Sequence, residues 1–172
     1  MLINDGILSQ EELERLLPSD DRFRKGPVAI IECIQDIPCD PCVGACPAHA
    51  ITMREGITDR PHLDADKCTG CGLCLASCPG LAIFLVNVHH SKDKATVSLP
   101  YELLPVPQAG DFVAGLDREG KPVCRAKVLR VLSGKKLDHT RIITVEVPRR
   151  LAMTVRGIRC KGASRGAKGG KG

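Results

Sequence analysis

Aromatic residues are scarce in this chain of 172 residues, which has no tryptophan, one tyrosine and three phenylalanines. Because aromatic side chains bury the largest areas, their scarcity limits the hydrophobic core. Long apolar runs are also missing, since the longest, 81–88, contains Asn87 and is typical of a strand. We therefore expect no membrane-spanning helix and a small core that needs support from elsewhere.

The usual arrangements of catalytic side chains are absent as well. We find no nucleophile beside a general base, no glycine-rich phosphate loop and no cluster of carboxylates. Residues 1–6 lack the basic region of a secretory signal peptide, which predicts a cytoplasmic protein in a reducing compartment. The first absence disfavours an enzyme with its own substrate site. The second disfavours a small protein held together by disulfides.

Cysteine, in contrast, is abundant, and eight of the ten cysteines lie between Cys33 and Cys78. A complete C-x2-C-x2-C-x3-C-P run is formed by Cys68, Cys71, Cys74, Cys78 and Pro79. An earlier run repeats its last three cysteines 32 residues before, at Cys39, Cys42 and Cys46. Asp36 stands where that run should open. The spacing is the binding pattern of paired [4Fe–4S] clusters in bacterial-type ferredoxins.

Structural zinc is the main alternative for paired cysteines. A zinc ion takes four ligands in a tetrahedron, whereas a C-x2-C-x2-C loop with a distant C-P wraps three thiolates around one cubane cluster. The spacing therefore favours clusters. The two remaining cysteines are interpreted as a plain strand residue, Cys124, and an unassigned thiol, Cys160.

In the two-cluster arrangement the fourth cysteine of each run binds the other cluster. This crossing predicts that one cluster, named cluster II, is held by Cys46, Cys68, Cys71 and Cys74. The other, cluster I, is predicted to be held by one further group together with Cys39, Cys42 and Cys78. That group is Cys33 or Asp36, because thiolate is the softer donor but Asp36 occupies the in-register position.

An internal duplication extends beyond the cysteines, since residues 48–53 align with 80–85 at the same offset of 32. It predicts an α+β, ferredoxin-like domain of two pseudo-symmetric halves over 27–90, with strands at 28–31 and 83–86. An N-terminal arm, 1–26, has a capping box at Ser9 and Glu12, which predicts one short amphipathic helix. Packing on its own domain and docking on a partner are equally open for that helix.

Three more parts are predicted after residue 90. Residues 91–110 contain three prolines and are interpreted as an extended connector. Residues 111–158 predict a small antiparallel β unit, a sheet or partial barrel, with strands at 112–116, 123–132 and 141–147 and a hairpin at 117–120. Pro148 opens a short predicted helix over 149–158. Residues 159–172 predict a flexible basic tail.

Charge is distributed unevenly along the chain, whose formal net charge is +5. Residues 27–90 carry seven acidic and three basic residues, whereas 156–172 carries six basic residues and no acidic one. A basic tail can bind nucleic acid, but neither interleaved aromatics nor a helix–turn–helix motif accompanies this one. We therefore interpret the tail as a contact for an acidic partner subunit.

Residues 39–79 resemble a bacterial-type ferredoxin domain with two [4Fe–4S] clusters. Segments 31–42, 114–120, 136–140 and 145–148 add a similarity to the small iron–sulfur subunit of FAD-dependent amino-acid dehydrogenase complexes, of the proline, hydroxyproline and opine type. This resemblance implies that Cys33 is the last ligand of cluster I. It also implies partner subunits that contain FAD, and a non-catalytic subunit that relays single electrons to an acceptor.

The sequence is also compatible with two other functions. One is a free ferredoxin of low potential, which fits the acidic cysteine-rich part but leaves the basic extension unexplained. The other is an iron–sulfur regulatory protein that binds nucleic acid through its tail.

Overall fold

The computed structural model of the chain describes residues 6–137 and 140–160. A curved seven-stranded antiparallel sheet packs against a smaller lobe that contains the cysteine runs. The helices are α1 Gln10–Glu14, α2 Asp20–Arg24, α3 Pro41–Gly44 and α4 Leu73–Ser77. The strands are β1 Val28–Ile31, β2 Ile51–Thr52, β3 His62–Leu63, β4 Ile83–Asn87, β5 Lys94–Tyr101, β6 Phe112–Leu116, β7 Pro122–Leu132, β8 Arg141–Pro148 and β9 Gly157–Arg159.

The large sheet has the strand order β1-β4-β5-β8-β7-β6-β9, and β2 pairs with β3 in a separate ribbon. The strands predicted at 28–31 and 112–116 are found at those bounds. The predicted hairpin also forms, because the N–H of Asp117 donates to the carbonyl of Lys121 between β6 and β7.

Strand β5 lies inside the segment 91–110 that the sequence predicts as a connector. It pairs with β4 on one side and β8 on the other, so the strands of the cysteine-rich part and those after residue 110 form one sheet. Pro100 contributed to the prediction of a connector, because proline is rare within a sheet. In the structure β4 runs beside β5 only as far as Ser98, so Pro100 lies where β5 has a neighbour on one side only.

The helix predicted over 149–158 is wrong. The segment forms one 3-10 turn, Arg149–Leu151, and then β9, which pairs with β6 at the edge of the sheet. Val155 and Ile158 are buried in the large core, so tertiary packing outweighs the local helical pattern.

Strands β1 and β4 are buried on both faces. In β1, Val28 and Ile30 point into the large core enclosed by the sheet, whereas Ala29 and Ile31 point into a second core shared with the cysteine-rich lobe. Because side chains alternate between the faces of a strand, this four-residue run of apolar side chains serves both cores at once. The β1–β4 pair is therefore the wall between the large core and the cysteine-rich lobe.

A buried group of charges links the start of the sheet to its end. The carboxylate of Glu32, directly after β1, accepts hydrogen bonds from Nε of Arg118 at 2.9 Å and Nε of Arg156 at 2.6 Å. Arg118 lies in the β6–β7 hairpin and Arg156 precedes β9. The guanidinium of Arg156 also lies over the ring of Phe84 in β4. These contacts join the end of β1 to the β6–β7 hairpin and to the residue before β9.

The N-terminal arm packs on its own domain. The predicted capping box is present, since Ser9 and Glu12 exchange side-chain and backbone hydrogen bonds at the start of α1. A second helix, α2, follows after the Ser19 cap and buries Phe23 in the large core. The sequence did not predict α2, which is only five residues long and takes its stability from this burial.

Within the described ranges, none of the helices has the length and apolar character needed to span a bilayer. The tail predicted at 159–172 begins too early, because Arg159 is the last residue of β9 and Cys160 is buried. Residues 161–172 lie outside the described residues.

We predict that Glu32→Gln strongly destabilises the fold, because it leaves the buried Arg156 without its carboxylate partner. Breaking a buried pair in this way costs about 3 kcal/mol, which lowers the Tm of a domain of this size by about 10 °C. Thermal unfolding followed by circular dichroism measures the change. Asp66→Asn is the control, since its pair with Lys25 is exposed and should contribute little. Equal Tm values for both variants would contradict this role of Glu32.

Candidate metal centre

Four of the predicted ligand residues line one cavity in the cysteine-rich lobe. The cavity reaches the β1–β4 wall at Ala29 and Leu85. Its thiols come from both cysteine runs: Cys46 from the first, and Cys68, Cys71 and Cys74 from the second. The thiol of Cys74 is buried, whereas Cys71 is exposed to solvent.

The electrostatics of Cys74 reflect the same grouping. Burial raises the pKa of its thiol to about 12, and the neighbouring thiolates of Cys68, Cys71 and Cys46 add to this shift. Four thiolates held this close repel one another, because each adds negative charge in a poorly solvated place. A bound cationic centre removes that repulsion and deprotonates the thiols.

A second group of thiols forms around Cys42. Burial raises the pKa of Cys42 to about 11, with further contributions from Cys78, Cys39 and Cys33. The pKa of Cys33 is also raised, first by burial and then by Cys78. Cys78 of the second run therefore lies with the cysteines of the first run, as Cys46 lies with those of the second.

The donor set of the two groups consists of thiols, the ligands that hold iron–sulfur clusters. Among the described residues, no three side chains of histidine, cysteine, aspartate or glutamate converge closely enough to bind one metal ion. A tetrahedral zinc ion requires that convergence, since its Zn–S bonds are about 2.3 Å long. In a cubane each thiolate binds a different iron, which holds the four sulfurs farther apart. The donor chemistry of the two four-thiol groups therefore fits two [4Fe–4S] clusters.

The same backbone hydrogen bond occurs in both halves of the lobe. The N–H of Ala50 donates to Sγ of Cys46 at 3.3 Å, and the N–H of Ala82 donates to Sγ of Cys78 at 3.4 Å. The residues that precede these donors, His49 and Leu81, have φ values of 49° and 52°. Such left-handed conformations are strained for residues other than glycine. They turn the chain back so that its N–H groups point at sulfur.

These donors were missed by the sequence reasoning, although a signal for them was present. Ala50 and Ala82 are related by the offset of 32 that relates the cysteines. The helices α3 and α4, which carry Cys42 and Cys74, follow the same spacing. Backbone N–H groups aimed at cluster sulfurs are one means of setting a reduction potential.

Asp36 forms an ion pair with Arg60, and the charge of Arg60 also acts on the nearby thiol of Cys33. The carboxylate is therefore engaged by a guanidinium. Its oxygens accept hydrogen bonds from Nε of Arg60 at 2.8 Å and Nη2 at 3.4 Å, in an exposed ion pair. The thiol of Cys33, in contrast, is half-buried beside Cys78 and Cys39.

The two other cysteines are remote from these groups. Cys124 lies in β7, as predicted. Cys160 is buried after β9, where its thiol donates to the carbonyl of Pro105 at 3.3 Å and contacts the Tyr101 hydroxyl at 3.6 Å. Burial, together with this contact to Cys160, raises the pKa of Tyr101 to about 12. Both thiols therefore pack in or against the large core of the sheet.

Gly70 allows the second cysteine loop to pass close to the residue before β1. A Cβ at this position would lie 2.7 Å from the carbonyl oxygen of Pro27, and its φ of +70° is left-handed. Gly72 has a similar φ of +80°, but its nearest atom would be a methyl group of Leu85 at 3.9 Å. A substitution at either glycine therefore has the same conformational cost, but only at Gly70 would the added Cβ also clash.

We predict that Gly70→Ala lowers the bound iron per chain by at least half, because the loop must move away from Pro27. Gly72→Ala is the matched control and should retain most of its iron, because only the conformational cost of φ applies. Iron analysis of the two purified variants measures the difference. Similar losses in both would show that the approach to Pro27 does not matter.

Comparison with known proteins agrees with the chemistry of the lobe. Residues 32–82 match the family model of the 4Fe-4S dicluster domain. The chain is 39% identical over 70 residues to an uncharacterized ferredoxin of Methanocaldococcus jannaschii, covering 40% of this chain and 42% of the relative. No solved structure matches the chain at a significant level.

Two further relatives are named as components of larger assemblies. One belongs to an ion-translocating oxidoreductase complex of Methanosarcina acetivorans and is 45% identical over 49 residues, which are 28% of this chain and 17% of the relative. The other is a polyferredoxin-like subunit of the aliphatic sulfonate oxidoreductase of Pyrococcus furiosus. It is 42% identical over 48 residues, which are 28% of this chain and 27% of the relative.

This chain covers less than half the length of each of these three relatives. The similarity resides in the cysteine-rich lobe, where both thiol groups are found. The chain is therefore an iron–sulfur protein with a 4Fe-4S dicluster ferredoxin domain that holds two [4Fe–4S] clusters.

Proposed function

We propose that this protein is the electron-transfer subunit of a cytoplasmic, FAD-dependent amino-acid dehydrogenase complex, in which it relays single electrons from reduced flavin to an acceptor. The observation that carries the proposal is the pair of four-thiol groups set against one wall of a larger sheet. A simple electron carrier needs the two groups but not the sheet. The additional strands give such a protein a surface with which to join a complex.

The proposed ligands of cluster II are Cys46, Cys68, Cys71 and Cys74. Their support is the cavity that these four thiols line together. The proposed ligands of cluster I are Cys33, Cys39, Cys42 and Cys78, supported by the mutual effects of these thiols on one another's pKa values. The two lobe halves would then fold as one pseudo-symmetric unit, because neither cysteine run can complete a site alone.

Cys33 is preferred to Asp36 as the last ligand of cluster I. The carboxylate of Asp36 is engaged by Arg60 at the surface, and the pair would have to break before an oxygen could turn to iron. Cys33 already lies among the thiols of its group. Thiolate is also the softer donor, which iron–sulfur clusters favour.

Bound [4Fe–4S] clusters supply one-electron transfer, which divides the two-electron chemistry of a flavin into single steps. The chain itself provides the thiolates and the N–H groups of Ala50 and Ala82, which stabilise negative charge on sulfur. Buried Cys42 and Cys74 keep water from the inner side of each site. Cys71 is exposed, so the side of cluster II that it covers is the place where an electron donor or acceptor can approach.

The flavoprotein partner is supported by three features of the chain. Its proposed clusters are adjacent, its sequence has no catalytic constellation, and more than half of its described strands lie outside the dicluster domain at 32–82. Two relatives are named as oxidoreductase subunits, which supports assembly with other chains. A dehydrogenase of amino acids is the class that the sequence resemblance favours.

Cys33→Ala is predicted to lower the iron content from about eight atoms per chain, because cluster I loses a ligand. Asp36→Ala should keep the full content, because its partner is Arg60 and not iron. Iron analysis and EPR of both variants, prepared anaerobically, measure the outcome. The reverse pattern would assign the ligand to Asp36.

Purification of the tagged chain from its native host tests the proposed complex. We expect flavoprotein subunits to co-elute. An amino-acid substrate should reduce the clusters of the complex without added carrier, so that the EPR signals of reduced [4Fe–4S] clusters appear. Elution as a lone monomer that exchanges electrons with several unrelated reductases would contradict the subunit role and support a free ferredoxin.

A further inference from the structure

Arg22 is a buried arginine at the boundary between α2 and the second cysteine run. Its guanidinium donates to four carbonyl oxygens, those of Ala65, Gly26, Pro27 and Cys68. The bond to Cys68, from Nη2, is 2.7 Å long. Only 5% of the residue is exposed. The positive charge of Arg22 therefore lies beside a proposed ligand of cluster II and away from bulk water.

This buried charge has no carboxylate partner in the described part of the chain. The neighbouring acids are engaged elsewhere, since Asp66 pairs with Lys25 and Asp64 with Lys67. The other buried arginine, Arg156, shows the usual solution, an ion pair with Glu32. A buried cation without a counter-ion is strongly unfavourable. The described residues therefore supply no carboxylate that balances the charge of Arg22 near Cys68.

We propose that Arg22 is the counter-ion of cluster II and a positioning residue that raises its reduction potential. The inference rests on the proposed ligands, because it requires Cys68 to bind cluster II. Four thiolates around an iron–sulfide core carry a net negative charge that increases on reduction. A fixed positive charge nearby favours the reduced form, because the attraction grows with that negative charge.

Arg22 also fixes the path of the loop that carries these thiols. The carbonyl of Pro27 that accepts from Nη2 of Arg22 is the same atom that the backbone at Gly70 approaches. The carbonyls of Ala65 and Cys68 bind the same guanidinium and hold the loop before Cys71. One side chain therefore joins α2, the start of β1 and the second cysteine run.

EPR-monitored potentiometry of the purified chain, with dithionite as reductant, tests the proposal. Arg22→Gln should make the reduction equilibrium of one cluster about tenfold less favourable, a shift of about 59 mV for a one-electron couple, with the other cluster unchanged. Lys25→Gln is the matched control, because it removes the same charge three residues away but from an exposed pair. Its two potentials should equal those of the wild type.

Arg22→Lys separates the charge from the hydrogen bonds. An ammonium group keeps the charge but cannot reproduce the four-carbonyl fork, so stability should fall while both potentials stay near the wild-type values. If Arg22→Gln does not retain its clusters, the potentials of Arg22→Lys test the proposal. Two results would leave Arg22 with a structural role only. One is a tenfold change in the reduction equilibrium of a cluster in Arg22→Lys. The other is an unchanged potential in Arg22→Gln. Neither result depends on whether a flavoprotein partner exists.

Discussion

The β1–β4 pair is the element on which both halves of this molecule depend. Its four pairs of residues bury one face in the core of the curved sheet and the other against the cysteine-rich lobe. Ala29 and Leu85 also line the cavity formed by Cys46, Cys68, Cys71 and Cys74. A change in the packing of this wall is therefore felt on both sides, because close-packed interiors transmit strain. The wall explains how a chain with few aromatics supports a seven-stranded sheet.

Two buried arginines extend this connection in different ways. Arg156 ties the last strand to the first through Glu32, and its charge is balanced within the protein. Arg22 ties the N-terminal arm to the second cysteine run through carbonyl oxygens alone. The contrast gives the arm a role beyond packing, since no carboxylate among the described residues pairs with Arg22. Folding and cluster binding are then coupled through the same residues.

The cysteine-rich lobe was largely predictable from the sequence, because its spacing rules are set by the cluster. The grouping of Cys46 with the second run and Cys78 with the first follows the crossing pattern, although ligation itself stays a prediction. The capping box at Ser9 was equally visible, since it is a local motif. The strand predicted at 83–86 is also present, as β4, and β2 lies at the equivalent place after the first cysteine loop.

The sheet beyond residue 90 was predicted less well, for physical reasons that single residues show. Pro100 indicated a connector, yet it lies in a strand where one neighbour is missing. The segment at 149–158 has a helical pattern, but pairing with β6 makes part of it a strand. The long-range contacts of Arg22 and Glu32 have no local signature, because their partners are far away in sequence. Local sequence patterns do not determine which distant strands pair or which buried charged groups contact each other.

The most direct test of the account is EPR of the fully reduced chain, with the spins quantified against the iron bound. Two neighbouring [4Fe–4S] clusters predict two spins per chain and a spectrum broadened by their magnetic interaction. A single, unbroadened spin with half of the expected iron would contradict the two-cluster arrangement at the centre of this account.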